Sequence, residues 1–172
     1  MTPATYSAQE RLRDGRLVEI RAQRPDDETG MLAAVERTNP ESLRRRFFAP
    51  KREFSEKEKA FFMNIDFVDH VALVAEIEEN GTSAIIGGGR YIVVQPGEAE
   101  VAFVVVDAFQ GQGIGGLLTR HLIELARTAG LKQLGADVLP ENAAMRKVLG
   151  KSGFRTARSQ DPQVVHLTLP LV

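Results

Sequence analysis

The chain contains no cysteine, which excludes disulfides, a thiolate metal site and any covalent intermediate on sulfur. Its three histidines, His70, His121 and His166, are widely spaced and form no ligand pattern, so no metal is expected. No apolar run approaches the roughly 18 residues of a membrane span. The polar stretch Met1–Arg16 lacks a signal-peptide core, so the cytoplasm is the expected compartment, with no membrane partner. Nor is there an excess of positive charge: 22 Lys and Arg stand against 23 Asp and Glu, which argues against a nucleic-acid partner, since displacing counterions needs a basic surplus.

At 172 residues and 43% hydrophobic content, the chain has enough apolar material for a sizeable core. The expected organisation is a flexible N-terminus over residues 1–14 and a single domain over 15–172. Arg16–Arg21 alternates like a strand. Pro25-Asp26-Asp27-Glu28 supplies the proline and acidic first turn of a helix running to about Thr38. A helical piece follows from Asn39-Pro40-Glu41 through Phe48, and Ser55-Glu-Lys-Glu58 reads as a capping box opening another helix to about Asn64. The period then changes. His70–Ile77 and Ile85–Val94 are β-branched runs joined through Asn80-Gly81, a strong hairpin signal. Within the second run, Gly87-Gly88-Gly89 suggests a bulge or a close approach by another backbone or ligand. Gln95-Pro96-Gly97 turns the chain into a third strand, Glu98–Val106. A long helix follows, then a strand at about Gln133–Leu139, a helix at about Glu141–Lys151, a Gly153-Phe154 break and closing strands that include Val164–Leu169. Helices first, then an antiparallel meander, then β-α-β-α-β, predict a mixed α/β sheet domain.

The third strand ends in Gln110-Gly111-Gln112-Gly113-Ile114-Gly115-Gly116. Such glycines let a ligand approach the main chain, and successive N–H groups converge at the positive end of the next helix, a seat for a diphosphate. That helix is amphipathic, with Ile114, Leu117, Leu118, His121, Leu122, Leu125 and Ala126 on one stripe and Arg120, Glu124 and Arg127 opposite. Gly111-x-Gly113-x-x-Gly116 fits a dinucleotide fingerprint, with Asp137 where a ribose-binding acid would stand. Too little chain follows Asp137 for such a fold, and too much precedes the loop. Read instead as Gln110-x-x-Gly113-x-Gly115, the segment resembles the acyl-CoA signature of the GCN5-related N-acetyltransferases (GNAT), and the order of elements is similar to that fold over essentially the whole chain. The resemblance implies a mostly antiparallel sheet flanked by helices, splayed between the strand before the loop and the one after the long helix, with acetyl-CoA as cosubstrate and its pantetheine arm in the splay.

A second stretch, Asn142-Ala-Ala-Met145-Arg146-Lys-Val-Leu-Gly-Lys-Ser-Gly-Phe154, is similar to the family's second CoA motif. The resemblance assigns Asn142, Met145 and Arg146 to the cofactor, with Asn142 holding the pantetheine or the reacting end. An asparagine so placed also serves as a helix N-cap. Asn39–Phe48, Lys51-Arg52-Glu53 and Gly97–Val104 are similar to bacterial Pat-type protein lysine acetyltransferases, which modify AMP-forming acyl-CoA synthetases. Relatives in that group often carry a cyclic-nucleotide module or a synthetase-like domain, for which this chain has no room. Arg44-Arg45-Arg46 is either a solvated helix face or a docking surface for an acidic protein partner.

Thioester aminolysis needs a neutral amine, and a lysine ε-ammonium titrates near ~10.4, so the site must accept a proton. Glu98, Glu100, Ala102, Val104 and Val106 share one strand face. Glu100 matches the Pat-type position and is the expected general base, with Glu98 beside it; both could instead face solvent on a half-exposed strand. Main-chain N–H groups near Phe103, Val104 and Val105, just before Val106, would polarise the thioester carbonyl. Many acetyltransferases of this fold protonate the leaving thiolate with a tyrosine after the asparagine motif. Here Val148, Leu149 and Gly150 occupy that neighbourhood, and the only tyrosines are Tyr6 and Tyr91. With no cysteine available, the acetyl group would pass directly to a primary amine, most simply a protein lysine. Alternatives are a small-molecule amine acetyltransferase and a non-catalytic acyl-CoA sensor.

Overall fold

A computed structural model of the chain describes residues 3–38, 55–158 and 161–172. Its centre is one eight-stranded sheet in the order β1-β2-β3-β4-β5-β6-β8-β7. The strands are β1 (Ser7–Arg11), β2 (Leu17–Ala22), β3 (His70–Glu79), β4 (Thr82–Gln95), β5 (Glu98–Val105), β6 (Gln133–Val138), β7 (Arg155–Ala157) and β8 (Val165–Pro170). Every neighbouring pair is antiparallel except β5 and β6, which are parallel. Four α-helices flank the sheet among the described residues: α1 (Glu28–Glu36), α2 (Glu56–Met63), α3 (Ile114–Thr128) and α4 (Ala143–Lys151). No helix among the described residues is long and apolar enough to cross a membrane.

Local chemistry accounts for most element ends. The β3–β4 hairpin turns on Asn80 and Gly81, both at positive φ, which these residues reach at least cost. In the α2 capping box the Ser55 hydroxyl accepts from the Glu58 N–H at 3.1 Å and the Glu58 carboxylate accepts from the Ser55 N–H at 3.1 Å. The acidic start expected for α1 has a second use. Asp27 is buried and takes a bidentate pair of hydrogen bonds from the Arg21 guanidinium, both at 2.9 Å. Burial pushes the Asp27 carboxyl up, but the Arg21 guanidinium and the Arg24 N–H together hold it below its usual range.

The sheet has two covered faces. On the back, α3 sets Ile114, Leu118, Leu122, Leu125 and Ala126 into the core; burial of a leucine such as Leu118 or Leu122 stabilises the fold by ~1.5–3 kcal/mol. The triple glycine of β4 serves this packing. A Cβ on Gly89 would lie 2.7 Å from the Phe103 ring and 3.2 Å from Leu122, and one on Gly87 would lie 3.1 Å from the Val104 carbonyl oxygen. The β3–β4 register also shifts here, between Ala75 and Glu76, so the run carries both a bulge and close approaches. On the front, α1 and α2 lie over β3, β4 and β5 around a cavity of about 100 Å³.

The N-terminus departs from the expectation of a frayed segment over residues 1–14. Residues 7–11 form the edge strand β1, paired with β2 from Ser7↔Arg21 to Arg11↔Leu17. Ser-Ala-Gln-Glu-Arg buries little of itself, so its sequence carries no amphipathic signal. Side chains hold it instead: the Tyr6 hydroxyl bonds His121 Nδ1 on α3, and Glu10 pairs with Arg120 and with His121 Nε2, the latter at 2.8 Å. Burial, with the nearby Arg120 charge, pushes the His121 imidazole down from its ordinary value.

Candidate active site

Strands β5 and β6 share only three register pairs, Glu98↔Gln133, Ala99↔Leu134 and Glu100↔Gly135. Beyond them β6 continues against β8, pairing Ala136↔Leu167, Asp137↔His166 and Val138↔Val165, while β5 stays on β4 as far as Gly87↔Val105. The two parallel strands therefore diverge from Glu100 onward and leave a gap. Val106 donates its N–H to Ile86 on the β4 side at 2.9 Å. Since main-chain groups alternate along an antiparallel strand, those of Phe103 and Val105 face the gap. The Val105 carbonyl accepts from the Gln110 side chain at 3.2 Å.

At the open end of the gap, a short 3₁₀ turn over Asp107–Phe109 leads into the glycine loop. Gly111 and Gly113 take φ of +83° and +91°, and Gly113 is the N-cap of α3. Both conformations are left-handed, which a side chain disfavours. The first turn of α3 has no acidic residue, and a Cβ on Gly116 would meet nothing within 4 Å. The loop thus offers an uncrowded helix N-terminus to an anion. Its back is braced from the β1–β2 turn: Arg13 donates to the Gly111 carbonyl at 2.9 Å, and the Asp14 N–H donates to the Gln112 side chain at 3.1 Å.

Glu98, Glu100, Ala102 and Val104 are half-buried on the front face of β5, whereas Ala99, Val101 and Phe103 point into the core. Glu98 takes a hydrogen bond from Gln95 at the hairpin turn. Glu100, at the apex of the gap, lies over Gly135, where an added Cβ would be 3.0 Å from both of its carboxylate oxygens. Burial pushes the Glu100 carboxyl above the usual carboxylate range; the charges of Asp137 and, less strongly, Glu98 add to the shift, and His166 opposes it. Asp137 and His166 are bonded to each other at 2.6 Å. One oxygen of Glu100, one of Asp137 and one imidazole nitrogen of His166 lie within 4.8 Å of one another. The histidines showed no pattern in the sequence, and Asp137 entered only as a candidate ribose ligand. This grouping, with Gly135 beneath it, required knowledge of the β6–β8 pairing.

Asn142 N-caps α4, its side-chain oxygen accepting from the Met145 N–H at 3.2 Å. Arg146 donates to the Pro140 carbonyl at 3.2 Å, and Met145 packs against the core. Neither tyrosine stands near this helix: Tyr91 is buried in β4, where desolvation raises its pKa, and Tyr6 is tied to His121. Arg44, Arg45 and Arg46, and the segments 39–48 and 51–53 around them, lie outside the described residues. The front cavity is lined by α1 and α2 side chains including Met31, Phe62 and Met63, and by Ala102 and Val104 of β5. Gln23, Thr38 and Arg90 are buried polar residues of its lining; the Arg90 guanidinium sits 4.9 Å from the Phe62 ring centroid and bonds His70 Nε2 at 2.8 Å and the Gln23 side-chain oxygen at 3.1 Å.

Residues 17–155 match the family model of the acetyltransferase (GNAT) domain. The chain belongs to the GNAT acetyltransferase family. This acetyltransferase is 34% identical over 160 residues to acetyltransferase PA5475 of Pseudomonas aeruginosa, across 91% of the chain and 86% of that relative. It is 33% identical over 149 residues to acetyltransferase Pat of Mycolicibacterium smegmatis, across 83% of the chain but 42% of the larger relative. The GNAT domain of S. lividans PAT superposes with a TM-score of 0.88 at 36% identity, over 95% of this acetyltransferase and 96% of that domain.

Proposed function

We propose that this acetyltransferase moves the acetyl group of acetyl-CoA directly onto a lysine ε-amine of a protein acceptor, with Glu100 as general base. The observation that carries the reading is the divergence of β5 and β6 at Glu100↔Gly135, which puts a carboxylate of raised pKa at the apex of a gap whose far end is the glycine loop. In this reading the N–H groups of Gln110–Gly116 hold the CoA diphosphate and the helix N-terminus offsets its charge. The α4 turn at Asn142, Met145 and Arg146 borders the pantetheine, and the Asn142 amide keeps its NH₂ as a donor because the cap uses only the oxygen.

The main-chain N–H groups facing the gap at Phe103 and Val105 polarise the thioester carbonyl and stabilise the oxyanion as the amine attacks. Glu100 takes the proton the amine must lose, the more readily because burial has brought its pKa toward neutrality. Glu98, engaged with Gln95, contributes charge rather than proton transfer. With no tyrosine at the helix after Asn142, the CoA thiolate leaves as the anion and is protonated by water.

A protein acceptor is favoured by likeness: the chain is similar to proteins named Pat and PAT, and its Pat-type resemblance points to an AMP-forming acyl-CoA synthetase. Incubating the enzyme with labelled acetyl-CoA and host lysate tests the acceptor class: label in discrete protein bands supports this reading, and label confined to small molecules contradicts it.

A further inference from the structure

Strand pairing carries the front face of β5 across the gap. Glu100 stands opposite Gly135, and two residues along β6 Asp137 stands opposite His166 of β8. Because side chains alternate along each strand, Glu100, Asp137 and His166 all project from this one face. Gly135 keeps the floor between them open, since a Cβ there would press on both Glu100 oxygens at 3.0 Å. One oxygen of Glu100, one of Asp137 and one imidazole nitrogen of His166 lie within 4.8 Å of one another, close enough for water to bridge the carboxylate to the ring. Outward from Glu100 exposure rises, from a side chain of His166 that is 23% exposed to one of Asp137 that is 48% exposed.

We propose that His166, oriented by Asp137, is the positioning residue that clears the proton from Glu100: the carboxyl acid passes it through one water to the imidazole, which releases it to solvent. The inference rests on the reading of Glu100 as general base. Asp137 accepts from Nδ1–H at 2.6 Å, which fixes the tautomer and leaves Nε2 as the accepting nitrogen. The proton count closes: one proton leaves the amine, resides in turn on Glu100, water and Nε2, and departs to bulk, restoring the Glu100 carboxylate for the next turnover. No electrons move. The titratable groups facing Glu100 are Asp137 from β6, His166 from β8 and Glu98 on its own strand; its β4 neighbour is the apolar Ile92.

Turnover of the purified enzyme is measured for wild type, His166→Gln, Asp137→Asn and Glu100→Gln, each with and without free imidazole. We expect His166→Gln to lose about 10-fold in kcat, below the 10²–10⁴ of a general base itself, with KM for acetyl-CoA unchanged and most of the loss restored by imidazole. Restoration separates a proton path from a structural role, which added imidazole leaves untouched. Full kcat in His166→Gln, or a loss that imidazole does not repair, overturns the proposal. Should that variant fail to fold, the more exposed Asp137→Asn carries the same two outcomes. Glu100→Gln distinguishes the levels: inactive Glu100→Gln beside fully active His166→Gln rejects the relay and keeps the base, while active Glu100→Gln rejects both.

Discussion

The guanidinium of Arg13 donates to the main-chain oxygen of Gly111 at 2.9 Å, joining the β1–β2 turn to the loop assigned to the CoA diphosphate. The Arg13 N–H also donates to the Gln112 carbonyl at 3.2 Å, so the edge strand and the loop form one unit. Arg13→Ala should therefore weaken acetyl-CoA binding by about 3- to 10-fold, the worth of one exposed hydrogen bond and some order in the loop. Calorimetric titration measures it; wild-type affinity in the variant would mean the loop holds its shape unaided.

Gly113 stands at φ +91° as the α3 N-cap. Acetyl-CoA at about 100 times its Kd should stabilise the wild type by ~2.7 kcal/mol, raising Tm by about 5–10 °C. Gly113→Val should abolish that rise, because the branched side chain disfavours the left-handed backbone and crowds Arg13, 3.7 Å from where its Cβ would stand, which braces the loop. An undiminished shift would remove the diphosphate from this loop, and so would a shift produced by NADH alone.

Gly135 was not singled out from the sequence, yet its missing side chain is where the Glu100 carboxylate lies. Gly135→Ala should lower kcat by about tenfold or more while sparing KM for acetyl-CoA, as expected when an interaction made only in the transition state is disturbed. Equal kcat in wild type and variant would show that the carboxylate can move without penalty.

Because the folded state raises the Glu100 pKa, chiefly through burial and then through Asp137, the fold binds that proton more tightly than the unfolded chain does. Its contribution to stability is fully present below the unfolded carboxylate pKa and is lost as pH rises through the folded value. At pH 7–8 the ionised carboxylate is thus a cost to the fold, and Glu100→Gln should raise Tm there, with the gain shrinking toward acid. Turnover runs the opposite way, falling as pH drops through the same value because the base becomes protonated. Scanning calorimetry across pH checks the sign; a Tm lowered by Glu100→Gln at pH 8 would show the carboxylate to be stabilising.

What the sequence made legible was chemistry confined to one segment. The α3 stripe, the Asn80-Gly81 hairpin, the Ser55–Glu58 box and the left-handed glycines of the loop are each decided by neighbours a few residues apart. Strand alternation places Glu98 and Glu100 on one face, and only the match to the Pat-type position singles out Glu100 as the candidate base. Asp137 and His166 were not legible, because they meet only through β6–β8 pairing across 29 residues. Strand β1 escaped notice because its anchors, His121 and Arg120, lie more than a hundred residues away. Asn142 is legible as the cap of α4, which is decided by its own neighbour Met145.

The central claim, acetyl transfer to a protein lysine through Glu100, is tested most directly by mass spectrometry of a purified, folded AMP-forming acyl-CoA synthetase incubated with acetyl-CoA and either the wild type or Glu100→Gln. The account predicts one lysine of the synthetase acetylated by the wild type, with loss of adenylation activity as its charge is removed, and labelling slowed by ~10²–10⁴ in the variant. An untouched synthetase beside rapid acetylation of free polyamines or aminoglycosides would contradict it.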